Sequence, residues 1–170
     1  NVAFGTYDPL GANSGTGSDL DQTGSVGVTC TRGSTGITIE LSDGGNHSGA
    51  TRRMANVGAT EFLNYELYQP DATTPGAVCT THTTVWGEVA DTAELTPTGT
   101  TWGTTQQSFN VCGRIPRGQD AAADNFTDLV TDDHAATFAE ALHEYRSAMD
   151  AARAFVVEHD IATPPMEDHL

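Results

Sequence analysis

At 170 residues the chain can hold one domain with a real core and is too short for two large ones. Its net charge is −16 and its pI about 4.3, with all seven basic residues arginine, so it repels phosphate backbones and nucleic acid is excluded as an expected partner. No apolar run is long enough to cross a bilayer as a helix, and membrane insertion is not expected.

Over most of its length the chain is rich in Gly and Thr, with short β-branched segments broken by Gly, Asn, Asp and Pro. That pattern is expected of an all-β sandwich or barrel. In chain order, a short strand is expected at 2–4, then a flexible Gly/Ser stretch at 11–24. "SVGVTCT" (25–31) puts Val26, Val28 and Cys30 on one face, and "ITIEL" (37–41) does the same with Ile37, Ile39 and Leu41. "DGGNHSGA" (43–50) reads as a turn. "FLNYELY" (62–68) sets Leu63, Tyr65 and Leu67 against Phe62, Asn64, Glu66 and Tyr68. A loop at 70–82 carries Cys79, and a short strand follows at 83–86. A long Thr/Gly-rich connection without a clear period fills 87–107. "SFNVCGRI" (108–115) alternates Phe109, Val111, Gly113 and Ile115, and the last strand is expected at 126–131. Alternation with one apolar face is the mark of antiparallel sheets solvated on the other face. The expected core is Val26, Val28, Ile37, Ile39, Leu63, Tyr65, Leu67, Phe109, Val111 and Ile115.

The character changes near Thr131. Residues 1–130 carry 14 acidic groups and 5 arginines, whereas the last 40 residues carry 9 acidic groups and 2 arginines, so the tail is far more acidic per residue. Phe138, Leu142, Tyr145, Met149, Ala152 and Val156 are spaced by fours and threes, the seam of an amphipathic helix. Asp132 or Asp133 can cap it, and Pro164 and Pro165 lie beyond its end. A helix over about 134–159 would be roughly 39 Å long. Two regions are therefore expected, a β-domain at 1–131 and an acidic helical extension at 132–170. The seam needs a partner surface, because propensity alone stabilises an isolated helix little.

Candidates for chemistry are weak. The acidic pairs Asp19 and Asp21, Glu61 and Glu66, and Asp132 and Asp133 match the residue types of glycoside hydrolysis, but solvated acidic loops are the commoner explanation of such pairs. Glu140 and His143 form one E-x-x-H on the expected helix, where di-iron bundles need two such motifs and further glutamates. "SDGGN" (42–46) offers oxygen ligands without the length or closing Glu of an EF-hand and reads as a turn. Arg52, Arg53, Arg114 and Arg117 are the clustered cations, expected to pair locally with the acidic majority, or else with carboxylates of a neighbour or a polysaccharide. Asn46 and Asn125 open N-x-[ST] sequons. No catalytic residue, metal ligand or cofactor is expected, and the chain is not expected to be an enzyme. Cys30, Cys79 and Cys112 fit no zinc spacing, and their odd number leaves one thiol over or its partner outside the sequence.

The words "VAFGTYDPL", "GSVGVTCTRG", "ATRRMANVGATEFLNYELYQPD", "TTVWG" and "CGRIPRGQDAAADNFTDLV" follow one another in that order. Together they resemble the spore coat protein U domain, the subunit family of archaic chaperone–usher fimbriae, over residues 2 to about 131. The resemblance implies a periplasmically assembled, secreted pilus or coat subunit used in adhesion and biofilm formation. It implies an immunoglobulin-like sandwich that lacks its final strand. A periplasmic chaperone fills the open groove first, and a strand from the next identical or related subunit replaces it at the usher. Phe126, Leu129 and Val130 would lie at the groove edge.

Four departures from the family pattern carry expectations of their own. Family members have a segment before the first word that holds the donor strand and a cysteine. Here the chain opens at Asn1, so both, and with them the family partner of Cys30, are expected to lie outside it, as is any signal peptide. The loop at 70–82 looks inserted and brings Cys79. Cys112 stands where an aromatic residue is usual, and two cysteines gained together imply a Cys79–Cys112 disulfide. After "FTDLVT" the family adds a few alternating residues and stops, whereas here "DDHAATFAEALHEY" follows. The expected fold is thus all-β, an incomplete immunoglobulin-like sandwich with an added C-terminal α-helix. That helix either packs on the sandwich or a neighbour, or is an unrelated appended segment. The expected function is a fimbrial or coat subunit. The alternatives are a monomeric binding module whose helix closes the groove in cis, and a secreted hydrolase.

Overall fold

The computed structural model describes residues 2–87, 93–121, 125–128 and 130, and the backbone of 132–136. Among these residues every regular element is a strand, in the order β1 (Leu20–Val28), β2 (Ile37–Leu41), β3 (Arg52–Asn56), β4 (Phe62–Tyr68), β5 (Gln107–Ile115), β6 (Phe126–Thr127) and β7 (Asp132–Ala136). One sheet has five strands in the order β1-β5-β4-β3-β6, and a second pairs β2 with β7. The registers of the five-stranded sheet are antiparallel throughout.

Period-2 alternation places the core. All ten residues expected there are buried. Three further buried anchors come from stretches without a period. Trp86 is fully buried and its indole N–H donates to the Ile39 carbonyl at 2.8 Å. Leu95 bridges Ile39, and Trp102 packs on Phe109 with ring centroids 6.4 Å apart. Each is fixed by long-range contacts, and one buried residue in a polar stretch leaves no pattern to read.

Strand ends differ from expectation where pairing is non-local. β1 starts at Leu20, inside the stretch expected to be a flexible loop, because β5 is nine residues long and Leu20 lies opposite Ile115. It ends at Val28, three residues short of the expected 31. β3, "RRMAN", carries no apolar alternation and was not expected. It forms because it pairs on both sides, with β4 and β6. Residues 2–4 and 83–86 belong to no strand, although Val85 makes a lone bridge to Tyr68 and Trp86 N–H donates to the Leu67 carbonyl.

Of the expected last strand, 126–131, only Phe126–Thr127 forms a strand, β6, and a further strand, β7, follows it in the other sheet. β6 pairs with β3, and β7 pairs with β2. His134, Ala135 and Ala136, expected to open a helix, lie in β7, because β2 offers its edge to this segment. By its contacts the β-unit runs Asn1–Ala135, past the boundary expected at 131. The rest of the expected helix, with its seam residues Phe138, Leu142, Tyr145, Met149 and Val156, lies outside the described residues.

β5 turns Phe109, Val111, Gly113 and Ile115 to one face and Asn110, Cys112 and Arg114 to the other. The loop after β4 lies against that second face. Asn110 Nδ2 donates to the Ala77 carbonyl at 2.8 Å, Cys79 is bonded to Cys112 with Cα atoms 5.5 Å apart, and Arg114 donates to His82 Nδ1 at 3.1 Å. The loop also holds itself: the exposed Asp71 carboxylate accepts from the N–H and hydroxyl groups of Thr80 and Thr81, led by the Thr80 hydroxyl, and these bonds keep it well below the usual carboxylate range. The disulfide spans a separation of 33 residues, for which chain entropy alone gives about 3–4 kcal/mol. The double variant Cys79→Ser, Cys112→Ser is expected to lose that much in urea unfolding, and a midpoint equal to wild type would refute it.

Candidate functional site: an open apolar groove

A groove of about 1100 Å³ runs over the face formed by β5, β4 and β3. Its floor is Leu63, Tyr65 and Leu67 of β4 with Val111 and Ile115 of β5, and Val26, Leu41 and Met54 add to it from β1, β2 and β3. The floor is apolar for the same reason that the strands alternate: these residues are the inward-facing set. Residues 2–7 line one side, and 125–128 with Val130 line the other. Of the expected edge residues, Phe126 and Val130 are therefore on the groove, and Leu129 lies outside the described residues.

The side formed by residues 2–7 is seated by side chains rather than by a ladder. Phe4 meets Tyr65 edge-on with centroids 5.8 Å apart. Val2 and Phe4 rest on Gly113, where a Cβ would stand 2.7 Å from Phe4 Cζ and Val2 Cγ1. Glycine at 113 is thus a notch for this segment. The far end is tied by Tyr7, whose hydroxyl accepts from the Gln119 N–H at 2.9 Å and reaches the carbonyls of Pro116 and Asn13 at 3.1 and 3.2 Å. Asn13 is buried and completes the knot, accepting from Asp8 N–H and donating to the Ser18 carbonyl.

The other side carries a polar group at the groove. Asp128 Oδ2 accepts from the Tyr65 hydroxyl at 2.6 Å, and Oδ1 accepts from Asn46 N and Nδ2 at 3.1 and 3.3 Å. The carboxylate is close to Gly44, whose φ of 86° and lack of a side chain admit it. Burial first, and then the bond to Asp128, push the Tyr65 phenol far above the usual tyrosine range. Folded Tyr65 thus keeps its proton where the unfolded chain, ionising near 10.0, loses it. The unfolded state then binds fewer protons, so this contribution is intact below pH 10 and is lost as pH rises above it. Tyr65→Phe is expected to remove that share of alkaline sensitivity, read from urea midpoints at about pH 9 and about pH 11. An equal alkaline loss in both proteins would contradict it.

The remaining candidates resolve into local structure. Arg52 is buried, and Arg53 stacks on Phe62 at 4.1 Å. Arg114 binds Asp21 through two bonds of 2.7 and 2.8 Å, which lower the Asp21 carboxyl and raise the guanidinium. Arg117 donates to the Gly17 carbonyl. Asp19 and Asp21 are thus engaged by arginines rather than facing each other across a cleft. Among the described residues no three His, Cys, Asp or Glu side chains form a metal cluster, and "SDGGN" is a turn that holds Asp128. Asp132, Asp133, Glu140 and His143 have no described side chains. Asp128 and Tyr7 were not singled out from sequence, Asn46 was read only as part of a turn and a sequon, and Gly113 only as a position in the alternation of 108–115. The one available signal was an aspartate inside the apolar run "FTDLV".

Comparison with known proteins agrees with the family resemblance read from the sequence. Protein U of Myxococcus xanthus is 36% identical over 133 residues, covering 75% of this chain and 66% of that protein. The chain thus spans just under two thirds of that relative's length. A solved structure, the CsuC–CsuE chaperone–tip adhesion subunit pre-assembly complex from archaic chaperone–usher Csu pili of Acinetobacter baumannii, matches at 22% identity and a TM-score of 0.47, over 67% of this chain and 34% of the other. The model of the Spore Coat Protein U domain matches residues 1–132, which include β1 to β6 and the whole described groove, and the chain belongs to that family.

Proposed function

We propose that this chain is a secreted, non-enzymatic structural subunit of a bacterial fimbria or spore-coat-like surface fibre. On this reading the fold is an immunoglobulin-like sandwich without its final strand. Subunits join by donor-strand complementation, and the fibre serves adhesion and biofilm formation. The observation that carries the reading is the groove: an apolar floor, bordered on one side by residues 2–6, which belong to no strand. An extended segment entering it would place alternate side chains on Leu63, Leu67, Val111 and Ile115, and would pair its backbone with the flanking segments. A periplasmic chaperone is the expected first partner, holding the place that the donor strand later takes. The usher and identical or related subunits follow it. Family membership supports the same partners. Nucleic acid and membrane insertion form no part of the proposal.

The test is co-expression of the full-length natural gene product with its periplasmic chaperone and usher, followed by denaturing gels run without boiling. A ladder of resistant multimers that collapses on boiling is the expected result. A soluble monomer that needs no chaperone would overturn the reading in favour of a stand-alone module.

A further inference from the structure

The chain changes sheets three times, after β1, after β2 and after β6, and Asp128 joins the last two of these crossings. Between β2 and β3 it leaves the two-stranded sheet for the five-stranded one, through residues 42–51. Between β6 and β7 it crosses back, through residues 128–131. Asp128 is the first residue of the crossing after β6, and its carboxylate binds the crossing after β2 at Asn46 N and Nδ2 and the groove floor at Tyr65. Asn46 Nδ2 also donates to the Thr127 carbonyl at 3.2 Å. By contrast, β6 itself is two residues long, and its ladder consists of the pairs Ala55 with Thr127 and Asn56 with Phe126. So short a ladder fixes little, and bonds to a carboxylate are about twice as strong as neutral ones. The carboxylate stands beside an apolar floor of Leu63, Leu67, Val111 and Ile115. Its acceptors are turned to the protein's own donors, which makes it a fastening.

We propose that Asp128 is a positioning residue for assembly: it fastens the 126–128 edge at the point where the chain crosses between sheets, and so sets the alignment of that edge for an incoming strand. The proposal rests on the strand-uptake reading above. Loss of the carboxylate lets the edge slip while leaving the floor intact. Asp128→Asn keeps one carbonyl acceptor and retains part of the fastening. Asp128→Ala keeps none.

Two measurements test it, with the double variant Cys79→Ser, Cys112→Ser as a comparator that loses stability at a disulfide away from the groove lining. The first is amide hydrogen exchange on the unassembled subunit. Asp128→Ala is expected to speed exchange at Asn46 and at 126–128 by about tenfold or more, with β1 and β5 amides unchanged and Asp128→Asn in between. The second is the unboiled gel ladder, which Asp128→Ala is expected to abolish and the comparator to retain. Uniform exchange across the domain, or a full ladder from Asp128→Ala, would overturn the proposal. If wild type itself makes no ladder, strand uptake falls, and the exchange pattern alone then decides whether Asp128 holds the edge.

Discussion

Replacing Arg52 by alanine is expected to lower the unfolding free energy by about 3–5 kcal/mol, a large share of the stability of an ordinary domain. Arg52 is 1% exposed. Its Nη1 donates to Glu66 Oε1 at 2.6 Å, and Nη2 donates to the carbonyls of Leu41 and Trp86 at 2.9 and 2.7 Å. Nε donates to the Ser42 carbonyl at 3.0 Å. One guanidinium therefore ties β3 to β4, to the end of β2, and to the segment carrying the buried Trp86. Its removal leaves three carbonyls and a partly buried carboxylate without their donor, and unmet buried groups are costlier than the average bond is favourable. Arg52→Lys is expected to recover little, because a single ammonium cannot match a fork that faces four acceptors. Urea unfolding with an unchanged m-value checks both variants. A loss of less than about 1 kcal/mol for alanine would show that the node is not structural.

Gly113→Val is expected to abolish assembly while leaving a folded subunit. Its Cβ would fall 2.7 Å from the tips of Val2 and Phe4, so both must leave their seat on β5. The atoms in the way are the ends of side chains on a segment outside any strand, so they can yield without breaking the sheet. The domain loses about 1–3 kcal/mol by overpacking, but one side of the groove is displaced. Unboiled gels should show no ladder, and circular dichroism should stay that of wild type. An unaltered ladder would mean that residues 2–6 do not border the assembly site. Gly113→Ala meets the same contact with a smaller side chain and should fall between.

Much of this was legible from sequence, and the boundary of legibility has a physical basis. Val26 and Val28, Ile37 and Ile39, Leu63 to Leu67, and Phe109 to Ile115 announce themselves because a strand with one buried face must alternate. β3 does not, because the inward residue that matters most there is a buried arginine, which reads as surface until its acceptors are known. Leu20–Val28 looked partly like a loop because its pairing partner lies some ninety residues downstream on β5. Residues 126–131 were read as one continuous strand, since a change of sheet after β6 leaves no trace in the period. Phe126 and Val130 were placed at the groove by family resemblance, and the Cys79–Cys112 bond was inferred in the same way; the structure contains that bond and sets both residues on the groove. The roles of Asp128 and Gly113 could not be read because they exist only in three dimensions: one is an acceptor that joins its own segment to two others, the other a missing side chain beneath two others.

The central claim is that the groove bordered by residues 2–6 and 126–128 is where subunits join. Amide hydrogen exchange on the unassembled subunit and on the assembled multimer tests it most directly. The account predicts that the amides of residues 3–6 exchange fast in the unassembled subunit, where they belong to no strand, and become protected in the multimer. Fast exchange of these amides in both states, with new protection elsewhere on the surface, would contradict it.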